Sequence, residues 1–109
     1  MKFSESLKKN RDFKEVYGKG KSFANKNLIM YVLENELKRN RVGISVSKKV
    51  GNSVVRHRVT RLIRESYRIS EDYYKCGYDI VIIGRVATKE ISFNEVKSAL
   101  LHLKELHNI

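Results

Sequence analysis

Apolar residues recur along the chain with two different periods, and these divide it into elements. Phe13, Val16 and Tyr17 stand at i, i+3 and i+4, which is one face of a helix that Asn10 opens as N-cap and Gly18 closes. "GKGK", residues 18–21, reads as a turn, too short and wrongly placed for a phosphate-cradling loop. A short strand over residues 22–24 is expected next. "LIMYVL", residues 28–33, is an apolar run of β-formers and reads as a strand. Residues 35–40 are polar and turn-like, and "RVGISVS", residues 41–47, alternates as a second strand, so the two are predicted to form an antiparallel pair. Asn52 or Ser53 can cap a helix running to about Ile69. "YDIVIIG", residues 78–84, reads as a strand buried on both faces. Ser92 and Glu95 have capping-box spacing, and Val96, Ala99, Leu100, Leu103 and Leu106 follow at helical spacing over residues 93–107. The order α-β-β-β-α-β-α predicts an α+β fold, a small α-β sandwich, with residues 1–109 as a single domain.

The helix predicted from "NSVVRHRVTRLIRESYR", residues 52–68, has two unlike sides. At about 100° per residue, Val55, Val59, Leu62, Ile63 and Ile69 cluster on one side. His57, Arg61, Arg64 and Arg68 cluster nearly opposite. Arg56 and Arg58 lie in the first turn, beside Lys48 and Lys49. The apolar side is expected to dock on the sheet and the arginines to point outward.

Charge changes what that outward face means. The formal net charge is +11 and the pI about 9.9, with 41% of residues hydrophobic. Such an excess repels itself, so a bound polyanion is the expected offset. No apolar run approaches the roughly 18 residues of a membrane span. "MKFSESLKKN" has no apolar core of a signal peptide, so a soluble, cytoplasmic protein with no membrane partner is expected. Cys76 is the only cysteine, which leaves no internal disulfide, and it is expected to pack as a buried or half-buried small hydrophobe.

A solvated basic face is the plain alternative for the arginine helix. Solvated helices intersperse acids at i+4, but here Glu65 is the only acid. Arginine, unlike lysine, grips phosphate through a planar two-pronged contact. Arg56 and Arg58 also sit at the positive end of the helix dipole, an unfavourable place that an incoming phosphate would relieve.

"RVGISVSKKVGNSVVRHRVTRLIRESYR", residues 41–68, resembles the signature of the bacterial ribonuclease P protein component. That signature is a strand ending in Ser-Lys-Lys, a Gly, a short linker, then Arg-Asn-Arg with further basic residues and an Arg-Glu pair. "RDFKEVYGKGKSFANKN", residues 11–27, is similar to the family's N-terminal segment. The chain departs from the pattern at His57, the middle of Arg-Asn-Arg, at Thr60, where a basic residue is common, and in ending "KELHNI" without a basic tail.

The resemblance implies an accessory subunit of the ribonucleoprotein that removes the 5′ leader from precursor tRNA. The catalyst would be RNA using Mg2+, and the protein would hold no cofactor or metal of its own. The implied fold is like domain 2 of ribosomal protein S5, with a left-handed β-α-β crossover where general rules favour a right-handed one. It further implies that Lys48, Lys49, Asn52, Arg56, Arg58, Arg61, Arg64 and Arg68 face the catalytic RNA, one protein to one RNA. Phe13, Tyr17 and Tyr31 would line a cleft for the single-stranded leader, where base stacking tolerates many sequences. Without the resemblance, Phe13 and Tyr17 read as core.

Other classes fit less well. Metal-dependent nucleases need clustered carboxylates, and the twelve acids here are scattered. Metal-free cleavage needs an acid and a base within reach of each other. His57 sits among arginines, and His102 and His107 are expected at the surface, so no catalytic residue is assigned. A structured-RNA-binding protein of ribosomal type, without a processing role, is the alternative. A DNA reader would carry base-reading side chains on a helix-turn-helix, and a membrane binder would have no sheet to cover its apolar face.

Overall fold

The computed structural model describes residues 3–109. Its elements are β1 (Ser4–Ser6), α1 (Asn10–Lys19), β2 (Lys21–Ala24), β3 (Leu28–Glu34), β4 (Asn40–Val46), α2 (Ser53–Ser70), β5 (Tyr78–Gly84) and α3 (Phe93–His107). Short 3-10 helices at Glu71–Tyr73 and Val86–Glu90 flank β5. The strands form one mixed sheet in the order β1-β4-β5-β3-β2. This is an α+β fold with helices on both sides of the sheet.

The expected antiparallel pairing of residues 28–33 with 41–47 does not occur. β5 lies between β3 and β4, antiparallel to the first and parallel to the second. Burial explains the insertion. Ile80, Val81 and Ile82 are all sealed from solvent, so β5 needs cover on both faces and a strand on each side. In β3, by contrast, Leu28, Met30 and Val32 are buried while Ile29, Tyr31 and Leu33 are only half-buried.

Those alternating positions define two layers. Leu28, Met30, Val32, Val42, Ile80 and Ile82 face α2 and α3, which contribute Val59, Ile63, Tyr67, Val96, Leu100 and Leu103 to the larger core. On the other face Val81 meets Leu7 and Val16 of the α1 side, with Phe13, Tyr31, Leu33 and Ile83 around them. The phenol of Tyr67 is buried at the centre, and its hydroxyl lies 2.7 Å from Ser4 Oγ, which donates to Glu71 at 3.0 Å. These bonds tie β1 in place and explain why a polar three-residue strand forms without any sequence pattern.

Local signals set some element ends and not others. The capping box of α3 is present, with Ser92 Oγ accepting from the Glu95 amide and Glu95 Oε1 from the Ser92 amide. α1 begins after Lys9, not with Asn10 as N-cap, and runs through Gly18, so "GKGK" is not a turn. Gly20 ends α1 with its amide on the Val16 carbonyl, 2.8 Å away, where a Cβ would sit 2.5 Å from that oxygen. Ile69 and Leu106, expected in the core, are 40% and 44% exposed. The buried line of α2 runs through Val59, Ile63 and Tyr67, with Ser66 and Ser70 beside it, which turns Ile69 outward. Cys76 is exposed in the loop before β5, so it is not a packing residue. His107, expected at the surface, is half-buried: its ring meets Phe23 edge-on at 4.8 Å and bonds the Met30 carbonyl at 2.8 Å.

Candidate nucleic-acid interface

The segment after β4 brings the first basic groups together. Val50 is buried and anchors the loop, its amide bonded to the Ser47 carbonyl, while Lys48 and Lys49 stay exposed. Asn52 caps α2, its Oδ1 accepting from the Val55 amide at 3.0 Å. The Asn52 carbonyl is therefore committed to the helix, and what it can offer a ligand is its amide nitrogen. The first turn of α2 contains no acid.

The arginines of α2 are not equivalent. Arg58 donates to the carbonyls of Lys89 and Ile91, at 3.0 and 3.3 Å, and so braces the turn before α3. Arg56 is half-buried and its Nε is buried without a hydrogen-bond partner among the described residues. Arg68 makes a two-pronged pair with Glu65, at 2.9 and 2.5 Å. The bond holds the Glu65 carboxyl below its ordinary pKa and the Arg68 guanidinium above its own. Arg61 and Arg64 are exposed and have no acidic partner among the described residues. With Lys48, Lys49, Arg56 and Arg58, which also have no acidic partner among the described residues, they make up the uncompensated charge of this surface. The Glu65–Arg68 pair has the i, i+3 spacing of a helical ion pair, so it was legible in the sequence. The shared groove between α2 and the start of α3, which Arg58, Arg61, Leu62, Glu65 and Phe93 line, was not.

The three aromatic positions lie on the opposite face of the sheet. Tyr17 meets Tyr31 edge-on with ring centroids 5.1 Å apart, and Phe13 lies 6.3 Å from Tyr17. Gly43 on β4 admits the Phe13 ring, since a Cβ there would fall 2.5 Å from its Cζ. Phe13 and Tyr31 are half-buried against Leu7, Val16 and Val81, whereas Tyr17 is 39% exposed. Tyr31, Val81 and Gly43 form one row across the sheet. The next row towards the Lys48 loop is Ile29, Ile83 and Ser45, all half-buried. The structure thus brings Phe13, Tyr17 and Tyr31 together and keeps them apart from the arginine helix.

At the far end of the same face, Arg41 and Asp79 form a bidentate pair at 2.8 and 2.6 Å, with Asn35 Nδ2 also on Asp79 and Asp12 of α1 3.7 Å from Arg41. The hydrogen bond to Asp79 raises the Arg41 pKa. This network pins α1 to the sheet, and its two carboxylates against one guanidinium leave it acidic. No group of three or more His, Cys, Asp or Glu suited to a metal occurs among the described residues. His57 is exposed on α2, His102 bonds Asn25 Nδ2, and His107 bonds a backbone carbonyl, so each ring stands in different company. No helix among the described residues is long and apolar enough to cross a membrane.

A family model described as ribonuclease P matches residues 1–107. The chain is 60% identical over 106 residues to the ribonuclease P protein component of Lachnoclostridium phytofermentans, covering 97% of this chain and 91% of that one. It is 56% identical to the one of Alkaliphilus metalliredigens, covering 94% and 93%. Among solved structures, the RNase P protein of Staphylococcus aureus superposes with a TM-score of 0.88 at 35% identity, covering 95% of each chain. The one of Thermotoga maritima superposes with a TM-score of 0.85 at 31% identity, covering 93% and 96%.

Proposed function

This chain belongs to the bacterial ribonuclease P protein component family, and on that premise we propose how its two faces divide the work. It is the protein subunit of ribonuclease P, which binds the catalytic RNA and precursor tRNA in 5′-end maturation. Cleavage belongs to the RNA and its Mg2+, and the protein subunit is not the catalyst. Its residues therefore bind and orient.

One face holds the catalytic RNA. Arg61 and Arg64, with Lys48 and Lys49, supply charge that no acid among the described residues neutralises, and the half-buried Arg56 adds its charge at the helix start. Arg68 reaches phosphate from its pair with Glu65. Arg58 and Asn52 act mainly by holding the helix start in position, through the Lys89 and Ile91 carbonyls and the Val55 amide. The other face holds the leader of precursor tRNA. Tyr17 and Tyr31 offer ring faces to bases, and Phe13, wedged over Gly43, supports them. The single observation that carries this reading is the separation of unpaired arginines and clustered aromatics onto opposite faces of one sheet. A generic binder of structured RNA needs only the first.

The same reading makes residues 1–109 one domain bound one-to-one to the RNA in the cytoplasm. β4 and β5, parallel and joined through α2, form the β-α-β unit that a ribosomal S5 domain 2-like fold requires, and the same reading gives that unit a left-handed crossover. The test is cleavage of precursor tRNA at low Mg2+ by the cognate catalytic RNA, with and without the protein. The protein should raise the rate with RNA present and leave precursor tRNA intact without it. No rate enhancement would leave only the ribosomal-type alternative.

A further inference from the structure

A groove of about 380 Å³ lies between α2 and the start of α3, lined by Arg58, Arg61, Leu62, Glu65 and Phe93. Its chemistry does not suit phosphate alone. Leu62 and Phe93 are half-buried and give it an apolar floor. Arg58 is fixed by two backbone carbonyls and forms a rigid wall. Arg61 is exposed and has no partner among the described residues. Glu65, the only acid of α2, keeps its charge and is held in place because Arg68 bonds both of its carboxylate oxygens. A carboxylate has about four lone-pair sites, so a two-pronged arginine leaves acceptor capacity on a side chain that lines the groove.

A phosphate would be drawn to the arginines, but it would be repelled by Glu65 and gain nothing from Phe93 or Leu62. A nucleobase uses every group. Its flat face packs on apolar side chains and guanidinium planes, and an amino group on its edge can donate to the carboxylate. We propose that this groove takes an unstacked nucleobase of the catalytic RNA, one with an exocyclic amino group, and that Glu65 accepts from that amino group. Adenine, cytosine and guanine qualify; uracil offers only its N3–H, flanked by two carbonyl oxygens that the carboxylate repels. The inference rests on the reading above that α2 faces the catalytic RNA.

Glu65→Ala makes the test decisive, because two accounts predict opposite signs. If Glu65 merely repels phosphate and occupies Arg68, its removal should tighten binding to the cognate catalytic RNA. If it holds a base, removal should weaken binding by about tenfold, the size of a lost base contact. Phe93→Leu keeps the apolar side chain that supports α3 but loses the aromatic face. It should weaken binding several-fold without changing the slope of log K against log salt, since no phosphate contact is removed. Thermal melting of both variants checks that α2 and α3 remain docked. Arg61→Ala with Arg64→Ala serves as the control. If that pair weakens binding while Glu65→Ala tightens it and Phe93→Leu is neutral, the base site is wrong and the RNA face stands. If the arginine pair has no effect, the RNA face is wrong and the base site falls with it.

Discussion

Removing Arg61 and Arg64 together should change RNA binding in a way that removing Arg58 or Arg68 does not. The structure gives the four side chains different circumstances. Arg61 and Arg64 are exposed and unpaired among the described residues, Arg68 is held by Glu65, and Arg58 is bonded to two backbone carbonyls. Each phosphate neutralised on RNA contributes about 0.7 to 0.9 to the slope of log K against log salt. Arg61→Ala with Arg64→Ala should therefore lower that slope by about 1.5, if each holds one phosphate. Exposed positions away from special features usually alter stability by less than about 0.5 kcal/mol, so the melting temperature should barely move. Arg68→Ala should lower the slope less, because its charge is already shared with Glu65. The assay is equilibrium binding to the cognate catalytic RNA across a salt series. An unchanged slope and affinity in the double variant would show that these arginines are only a solvated face.

Other positions carry separate expectations. Tyr31→Ala should weaken binding of leader-bearing precursor tRNA about tenfold, since stacking is worth about 1 to 3 kcal/mol per base, and should spare mature tRNA; equal losses for both RNAs would misplace the leader cleft. Asp79→Ala should cost about 2 kcal/mol by urea unfolding, because Asp79 is buried and its loss removes the two-pronged bond to Arg41 and one acceptor of the Asn35 amide, leaving them Asp12 and the Arg39 carbonyl; a loss below about 0.5 kcal/mol would show the network to be solvated. His107 should make stability fall on acidification. Burial lowers its folded pKa, with nearby Lys21 acting in the same direction and the bond to the Met30 carbonyl opposing. The unfolded chain then binds the proton first, so this contribution is present above about pH 6.5 and is lost as pH falls towards the folded value. His107→Gln should flatten that part of the profile in urea titrations at several pH values, and an unaltered profile would assign the dependence elsewhere.

Several features were readable from local chemistry. The capping box of Ser92 and Glu95, the Asn52 cap and the alternation in residues 41–47 are short-range patterns, and each element formed where expected. The arginine side of α2 also followed from spacing alone. Other expectations failed because they depended on what lies nearby in space. Ile69 and Leu106 have helical spacing, but the centre of each helix's buried line is set by the sheet beneath it. Cys76 lies exposed in the loop before β5, which composition does not reveal. β1 carries no signal in its own three residues; Val42, Tyr67 and Glu71 hold it from distances of many residues along the chain.

The sequence by itself determined the helices, the four longer strands, the charge and the kind of ligand that charge calls for, because each depends on residues within a few positions of one another. Only the tertiary structure decided that β5 would separate β3 from β4. A strand apolar on both faces lowers its free energy most at the sheet centre, and that preference can be satisfied only by choosing partners from the rest of the chain. The same choice sent Tyr31 and the arginines of α2 to opposite faces, and it brought Phe93 beside Arg58 and Glu65. It also left Arg61 and Arg64 without an acidic partner among the described residues while Arg58 became a brace, a difference that the five arginines of the α2 sequence cannot show because it depends on which carbonyls and carboxylates the fold places within reach.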